Sequence, residues 1–231
     1  MEDTILETPS KSGRGILAAA IIILLVILDQ AIKFKVKTSF YLGESLPVTS
    51  WFQLVFIENN GMAFGWEIGS KLLLTLGRIA VVAFLIYYIC RIHRQAKALT
   101  GYIVCLALIV AGAAGNIIDC VFYGLVFNNP LPPETATFLP ASGGYAPVFF
   151  GKVVDMFYFP LASWYWPDWM PWVGGEHFIF FRPIFNLADA AISVGIIALI
   201  LFYSRQISEV PFSFRRGASA GASQNSKEGG E

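Results

Sequence analysis

The 231-residue chain is 56% hydrophobic and 14% charged with a formal net charge of zero, and its mean hydropathy is +0.62, whereas a soluble domain usually carries about 25% charged residues. That composition excludes an ordinary soluble globular domain and places the chain among integral membrane proteins. Zero net charge gives no argument for a nucleic acid partner, and none is expected.

Residues 1–15 are polar and read as a cytoplasmic N-terminal tail. Helix one follows over Ile16 to Val36. Lys11 and Arg14 before an apolar core from Ile16 to Leu28 resemble a signal peptide, but Asp29-Gln-Ala-Ile-Lys33 lacks a small-residue cleavage pattern, so the helix is retained. An outer segment, 38–70, contains the aromatic and β-branched run Trp51 to Ile57, which predicts a short strand able to pair with the region around Lys152. Glu58-Asn-Asn-Gly-Met-Ala-Phe-Gly65 then supplies turn chemistry through Asn59, Asn60 and Gly61.

Helices two and three are expected over Leu72 to Cys90 and Tyr102 to Asp119. A second outer segment, 120–183, begins with a loop rich in Pro, Gly, Ser and Thr over 128–144. It continues into the aromatic stretch Phe157 to Phe181, whose composition fits a membrane interface. Helix four is expected over Ile184 to Tyr203, and 206–231 reads as a disordered cytoplasmic tail. The fold class is therefore an all-α membrane protein of four transmembrane helices, residues 16–205, with a small β-rich extracytoplasmic region. Lys11, Arg14, Arg91, Arg94, Lys97, Arg205, Arg215, Arg216 and Lys227 put both termini inside, although Lys33, Lys35, Lys37, Lys71, Lys152 and Arg182 dilute the asymmetry. Cys90, Cys105 and Cys120 have no paired spacing and His93 and His177 stand apart, so neither a disulfide framework nor a metal or other cofactor is indicated.

Asp29, Asp119, Asp155 and Asp189 lie in or against these apolar segments, where carboxylates are expensive and mark function. At a rise of 1.5 Å per residue, Asp29 is roughly 20 Å above the inner end of helix one and Asp189 on the order of 8 Å below the outer end of helix four. Asp119 ends helix three on the same side, so the acids meet near the outer face. Asn116 with Asp119, and Asn186 with Asp189, are spaced i, i+3, and Gly112, Gly115 and Asn116 form a stripe that lets another helix approach. Asp29 and Lys33 are spaced for an i, i+4 ion pair. Polar glue between helices is the bland explanation of one such pair; two at one depth plus Asp155 argue against it. Asp155 stands in the apolar run Val153 to Tyr158, whereas Asp119 has a structural alternative as a helix-terminal brace, which favours Asp155 as the partner of Asp189.

Asp29-Gln-Ala-Ile-Lys33, Asn60-Gly-Met-Ala-Phe-Gly65, Gly112-Ala-Ala-Gly-Asn-Ile-Ile-Asp119, Val153-Val-Asp-Met-Phe157 and Phe185-Asn-Leu-Ala-Asp189 resemble, in order, the motifs of the lipoprotein signal peptidases, signal peptidase II. The resemblance implies an aspartyl endopeptidase of the bacterial inner membrane that removes signal peptides from diacylglyceryl-modified prolipoproteins at the periplasmic face. It implies Asp155 and Asp189 as the catalytic pair. Asp29, Lys33, Asn60, Gly61, Gly112, Asn116, Asp119, Asn186 and Ala188 then bind substrate or support the site, membrane lipids surround it, and globomycin inhibits. Two features depart from the family. Cys120 stands where an Arg usually follows the helix-three Asp, leaving Arg182 or Lys33 to brace Asp119; and the segment 120–183 is long, as in the Bacteroidetes branch.

The chemistry fits the residues. Two nearby carboxyls in low dielectric share a proton, so that one activates water and the other donates to the carbonyl. No Ser or Cys nucleophile with a base is evident. The rivals are a small proton- or ion-coupled transporter, which predicts inverted repeats and acids at the midplane, and a non-enzymatic scaffold. Substrate entry from lipid requires an outer clamp, expected from 43–65 and the aromatic run Tyr158 to Phe180.

Overall fold

The computed structural model describes residues 13–60, 68–95 and 97–209. Gly61, the two chain ends and part of the expected clamp lie outside the described residues.

Among the described residues four helices are long and apolar enough to cross a membrane: α1 (Gly13–Ser39), α2 (Ile68–Ile92), α3 (Thr100–Ile118) and, after the strands, α5 (Leu187–Glu209). The third span continues past Ile118 through a wide π turn, Asp119–Tyr123, and a last helical turn, α4 (Gly124–Val126). Residues 120–126 are thus helical and extend the span, where an outer loop was expected to begin. π turns inside helices gather at functional positions, and this one starts on Asp119. The third span is the central one. Its apolar window is 61% buried against 11–17% for the others, which leaves α1, α2 and α5 to present their apolar faces to lipid.

Close approach of α3 and α5 depends on small residues. A Cβ on Gly112 would collide with the carbonyl of Ala188, and one on Gly115 would stand 2.5 Å from the Asp29 carboxylate. Tyr88, Ile89, Ile92, Tyr102, Ile103, Leu106 and Val110 fill the half of the bundle nearest the Ile92 to Thr100 connection.

At the other end sits a four-stranded antiparallel sheet in the order β1 (Ser45–Thr49), β2 (Phe52–Asn59), β3 (Val153–Tyr158), β6 (Ile184–Phe185). The strand expected over 51–57 is β2, and its partner near Lys152 is β3. Helix four starts at Leu187, not at Ile184, because Ile184 and Phe185 pair with Tyr158 and Phe157 of β3; an apolar run buried in a sheet reads the same as one buried in a helix. Of the aromatic stretch 157–181, Phe157 and Tyr158 end β3, and the rest carries a separate hairpin, β4 (Ala162–Tyr165) with β5 (His177–Phe180), inserted between β3 and β6. Its turn region leaves Trp169 79% and Trp172 95% exposed.

Val36 of α1, Phe56 of β2, Tyr123 and Phe127 of the third span, and Val154 and Met156 of β3 form the core that fastens sheet to bundle. A charged bolt runs through it. The Lys37 ammonium is buried against Glu58, over the rings of Phe56, Phe127 and Tyr145, while Lys152 reaches the other Glu58 oxygen at 3.1 Å. Removing one member of such a pair strands the other charge, at a cost of about 3–5 kcal/mol. Lys152 is part-exposed and can turn to water, but Lys37 cannot. Glu58→Leu is therefore expected to lower the melting temperature in detergent by on the order of 10 °C, and adding Lys37→Met to restore most of it; equal melting of wild type and Glu58→Leu would show that the bolt does not hold the sheet.

Candidate functional site

The site is built around one ammonium group. Lys33, in the C-terminal half of α1, is fully buried, and its three N–H bonds meet three acceptors: Asp29 at 2.9 Å, Asp119 at 2.7 Å and the amide oxygen of Asn116 at 2.8 Å. The i, i+4 spacing places Asp29 under Lys33, while Asn116 is carried in by α3 and Asp119 by the π turn that continues it. Of the two cations considered as a brace for Asp119, it is Lys33 that serves; Arg182 is exposed.

Both braced carboxylates have further partners. Asp119 accepts from Gln30 at 2.9 Å and from the Val154 backbone N–H of β3 at 3.4 Å. Asp29 accepts the backbone N–H of Ala188 at 3.0 Å, a donor in the first turn of α5 that has no partner within its own helix. A negative charge there also complements the helix dipole. Gly115, Asp29 and Ala188 therefore meet because α5 begins against α1 and α3.

The start of α5 also fixes Asp189. The Asn186 side-chain oxygen accepts the Asp189 backbone N–H at 2.8 Å, and the Asp189 carboxylate faces the Asn186 backbone N–H at 3.5 Å. This reciprocal pattern is a capping box, with Asn and Asp in place of the commoner Ser and Glu. The i, i+3 spacing read as one helix face is thus a helix start whose third residue is held toward the pocket. Asn116 donates to the other Asp189 oxygen at 2.8 Å, so Lys33, Asn116 and Asp189 form one chain of hydrogen bonds.

Asn186 closes the circuit. Its side-chain N–H₂ group lies 2.7 Å from an Asp155 oxygen, 3.2 Å from the Val154 carbonyl and 3.2 Å from the Asn116 oxygen. Asp155 arrives on β3, whose pairing of Phe157 with Phe185 sets it beside the residue that follows β6. Next to it β2 and β3 shift register between Leu54 and Ile57, a bulge of the kind found beside active sites.

Asp155 is buried and Asp189 half-buried, so the pocket opens on the Asp189 side. Burial, joined by the negative charge of Asp189, pushes the Asp155 carboxyl up to about 7, against the opposing pull of Lys33 and of hydrogen bonds from Asn186 and Asn59. One of two neighbouring carboxyls thus keeps its proton close to neutrality while the other lies nearer the opening.

The structure brings Asp29, Lys33, Gly112, Asn116, Asp119, Asp155, Asn186, Ala188 and Asp189 into one constellation. Asn60 is exposed at the end of β2, and its side-chain oxygen faces Lys71 of α2 at 3.4 Å; its neighbour Asn59 is the one on Asp155. Gln30 and Asn59 were not singled out as site residues from sequence. Gln30 lay inside a quoted motif, and Asn59 was read only as turn chemistry.

The sequence model of signal peptidase (SPase) II matches residues 21–205. The lipoprotein signal peptidase of Porphyromonas gingivalis is 48% identical over 199 residues, covering 86% of this chain and 88% of that protein. That of Amoebophilus asiaticus is 37% identical over 187 residues, 78% of this chain and 75% of that protein. A solved bacterial membrane enzyme is similar in fold, with a TM-score of 0.55 and 22% identity over 85% of this chain and 94% of that one. With four apolar spans among the described residues, a relative 48% identical over most of both chains, and a family match over residues 21–205, this chain belongs to the signal peptidase II family.

Proposed function

We propose that this protein is an aspartyl endopeptidase that removes signal peptides from diacylglyceryl-modified prolipoproteins, with Asp155 and Asp189 as its catalytic pair. The observation that carries the reading is Asn186: it is hydrogen-bonded to Asp155 at 2.7 Å and shares a capping box with Asp189, so one residue aligns two carboxyls of unlike environment.

Peptide hydrolysis needs one carboxylate to take a proton from water and one carboxyl to give a proton to the scissile carbonyl. Asp155, buried and pushed up to about 7, is suited to arrive protonated. Asp189, half-buried and held by Asn116 and the capping box, is suited to face the water. Lys33, Asp29 and Asp119 hold the floor beneath them.

The site sits at the α1 C-terminal end of the bundle; the excess of Lys and Arg in the other loops favours a reading in which this end faces the periplasm with both termini in the cytoplasm, and the family reading puts the chain in the inner membrane. The sheet and the β4–β5 hairpin then lie outside. A lipidated signal peptide enters sideways from the bilayer, and the β1–β2 hairpin and the aromatic hairpin close over it, touching acyl chains and peptide backbone. Globomycin is expected to compete for this pocket. A transporter finds no support here: the two halves of the chain are unlike, and the acids are interlocked with a sheet at one end of the bundle.

Asp155→Asn and Asp189→Asn should each lower cleavage of a diacylated prolipoprotein by about a hundredfold or more while leaving the melting temperature near that of wild type; near-normal turnover by either rules out the pair. The activity should fall as pH rises through the region near 7 where Asp155 loses its proton. Asn59 donates to the ionised form, so Asn59→Ala makes the proton harder to remove and should move that falling limb to higher pH; a shift to lower pH would contradict the assignment. For the clamp, joint replacement of Trp164, Trp166 and Trp169 by Ala should raise KM more than it lowers kcat, and unchanged kinetics would remove the aromatic hairpin from substrate capture.

A further inference from the structure

We propose that the end of the bundle opposite the carboxyl pair binds a phosphate group, held by Arg14 and the start of α3. Arg14 stands in the first turn of α1 and is 8% exposed. Its Nη1 donates to the Ala98 carbonyl, while its Nε is buried and meets no acceptor. The other buried cations of α1, Lys33 and Lys37, each face a carboxylate; among the described residues Arg14 faces none. A Cβ on Gly15 would stand 2.9 Å from the His93 ring, so the first turn of α1 is pressed against the exit of α2 and Arg14 is held at the Ala98 carbonyl.

That carbonyl lies one residue before Leu99, the cap position of α3, where no side chain caps the helix. No acid stands in the first turn of α1 or of α3. The opening N–H groups of a helix have no partner within it and carry the positive end of its dipole. Two such helix starts and a buried guanidinium therefore gather at one place. α5 departs from helical geometry at Tyr203 and wraps this corner: the Gln206 side-chain oxygen accepts the Leu99 N–H at 3.2 Å, and the Tyr203 hydroxyl lies against Gly101. The N–H groups of Thr100 and Gly101 have no acceptor among the described residues. Arg94 and Lys97, exposed on the connection before α3, strengthen the positive field.

A guanidinium fork beside the N–H groups of a helix start suits the oxygens of a phosphate. A buried donor left unpaired costs stability, and a small turn of the long arginine stem brings its Nε edge to the surface. Four apolar spans set this end of the bundle at a bilayer surface, where basic pockets between helices take the phosphates of lipid headgroups. Inorganic phosphate offers the same oxygens from solution. A diacylglycerol offers none.

The test uses the full chain, stripped of lipid in dodecyl maltoside, with dioleoyl phosphatidylglycerol, dioleoylglycerol or inorganic phosphate added. Native mass spectrometry reads the lipid retained, and a thermal melt reads stability. Wild type should retain one phosphatidylglycerol and melt about 5 °C higher with it, whereas dioleoylglycerol, with the same chains and no phosphate, should do neither. Arg14→Gln should weaken binding by about tenfold or more and remove the shift; Arg14→Lys, which keeps the charge without the fork, should fall between. Lys97→Gln makes the same charge change on an exposed side chain and should bind within about twofold of wild type. Thr100→Asp plants a carboxylate at the start of α3, so the lipid-free protein should melt higher than lipid-free wild type and no longer respond to phosphatidylglycerol. That variant decides the matter if Arg14→Gln fails to fold. An Arg14-dependent shift with phosphatidylglycerol alone makes the ligand a headgroup; the same shift with inorganic phosphate makes it free phosphate. No Arg14-dependent response to either overturns the proposal and shows the charge to be met within the chain. Equal losses in Arg14→Gln and Lys97→Gln, equal retention of dioleoylglycerol, or wild-type binding by Thr100→Asp each overturn it as well.

Discussion

A fully buried ammonium inside a membrane-spanning bundle has to be matched by charge and hydrogen bonds on every side, and Lys33 imposes that demand on four segments at once. Its acceptors come from α1 and α3; through Asp29 the requirement passes to the first turn of α5, and through Asp119 to the backbone of β3. Taking any one acceptor away leaves a buried N–H of the ammonium without its partner, and taking the lysine away leaves two buried carboxylates without their cation, where an unpaired ion costs several kcal/mol. The arrangement is therefore close to all-or-none, and the two carboxyls above it inherit its rigidity.

The upper half of the site follows a different logic. Asp189 is positioned by local helix chemistry, a capping box that any chain of similar sequence could make, whereas Asp155 is positioned by long-range strand pairing. Asn186 belongs to both systems. It is the cap of α5 and the donor to Asp155, so the angle between the two carboxyls is set at a single residue. Lys37 repeats the role of Lys33 one turn further along α1, bolting the sheet through Glu58 as Lys33 bolts the floor.

Much of the fold was legible because apolar runs of the right length have one dominant solution in a membrane. The boundary of α5 was not, since Ile184 and Phe185 are as apolar as the helix that follows. The Asp29 and Lys33 pair could be read from spacing alone. The bond from Lys33 to Asp119 could not, because i, i+4 rules describe one helix and say nothing of which face of its neighbour arrives opposite; Arg182 and Lys33 were equal candidates on sequence and differ only in three dimensions. Gln30 and Asn59 carried no signal of their own. A neutral amide shows no depth anomaly, and only its geometry reveals that it touches a carboxylate. Asn60 lay in the more recognisable motif, yet the strand ends so that Asn59 faces Asp155.

The β4–β5 hairpin is spliced into the chain between the two strands whose pairing sets the distance from Asp155 to Asn186. Tyr158 with Ile184, and Phe157 with Phe185, close the chain below it like a clasp, so everything from 159 to 183 is a loop whose ends are already joined. Lengthening such a loop costs little, growing only with the logarithm of its length. The arm can consequently grow, shrink or exchange its aromatic residues between relatives without moving either carboxyl. What the arm touches and how the two carboxyls are held are thereby written into separate stretches of the same polypeptide.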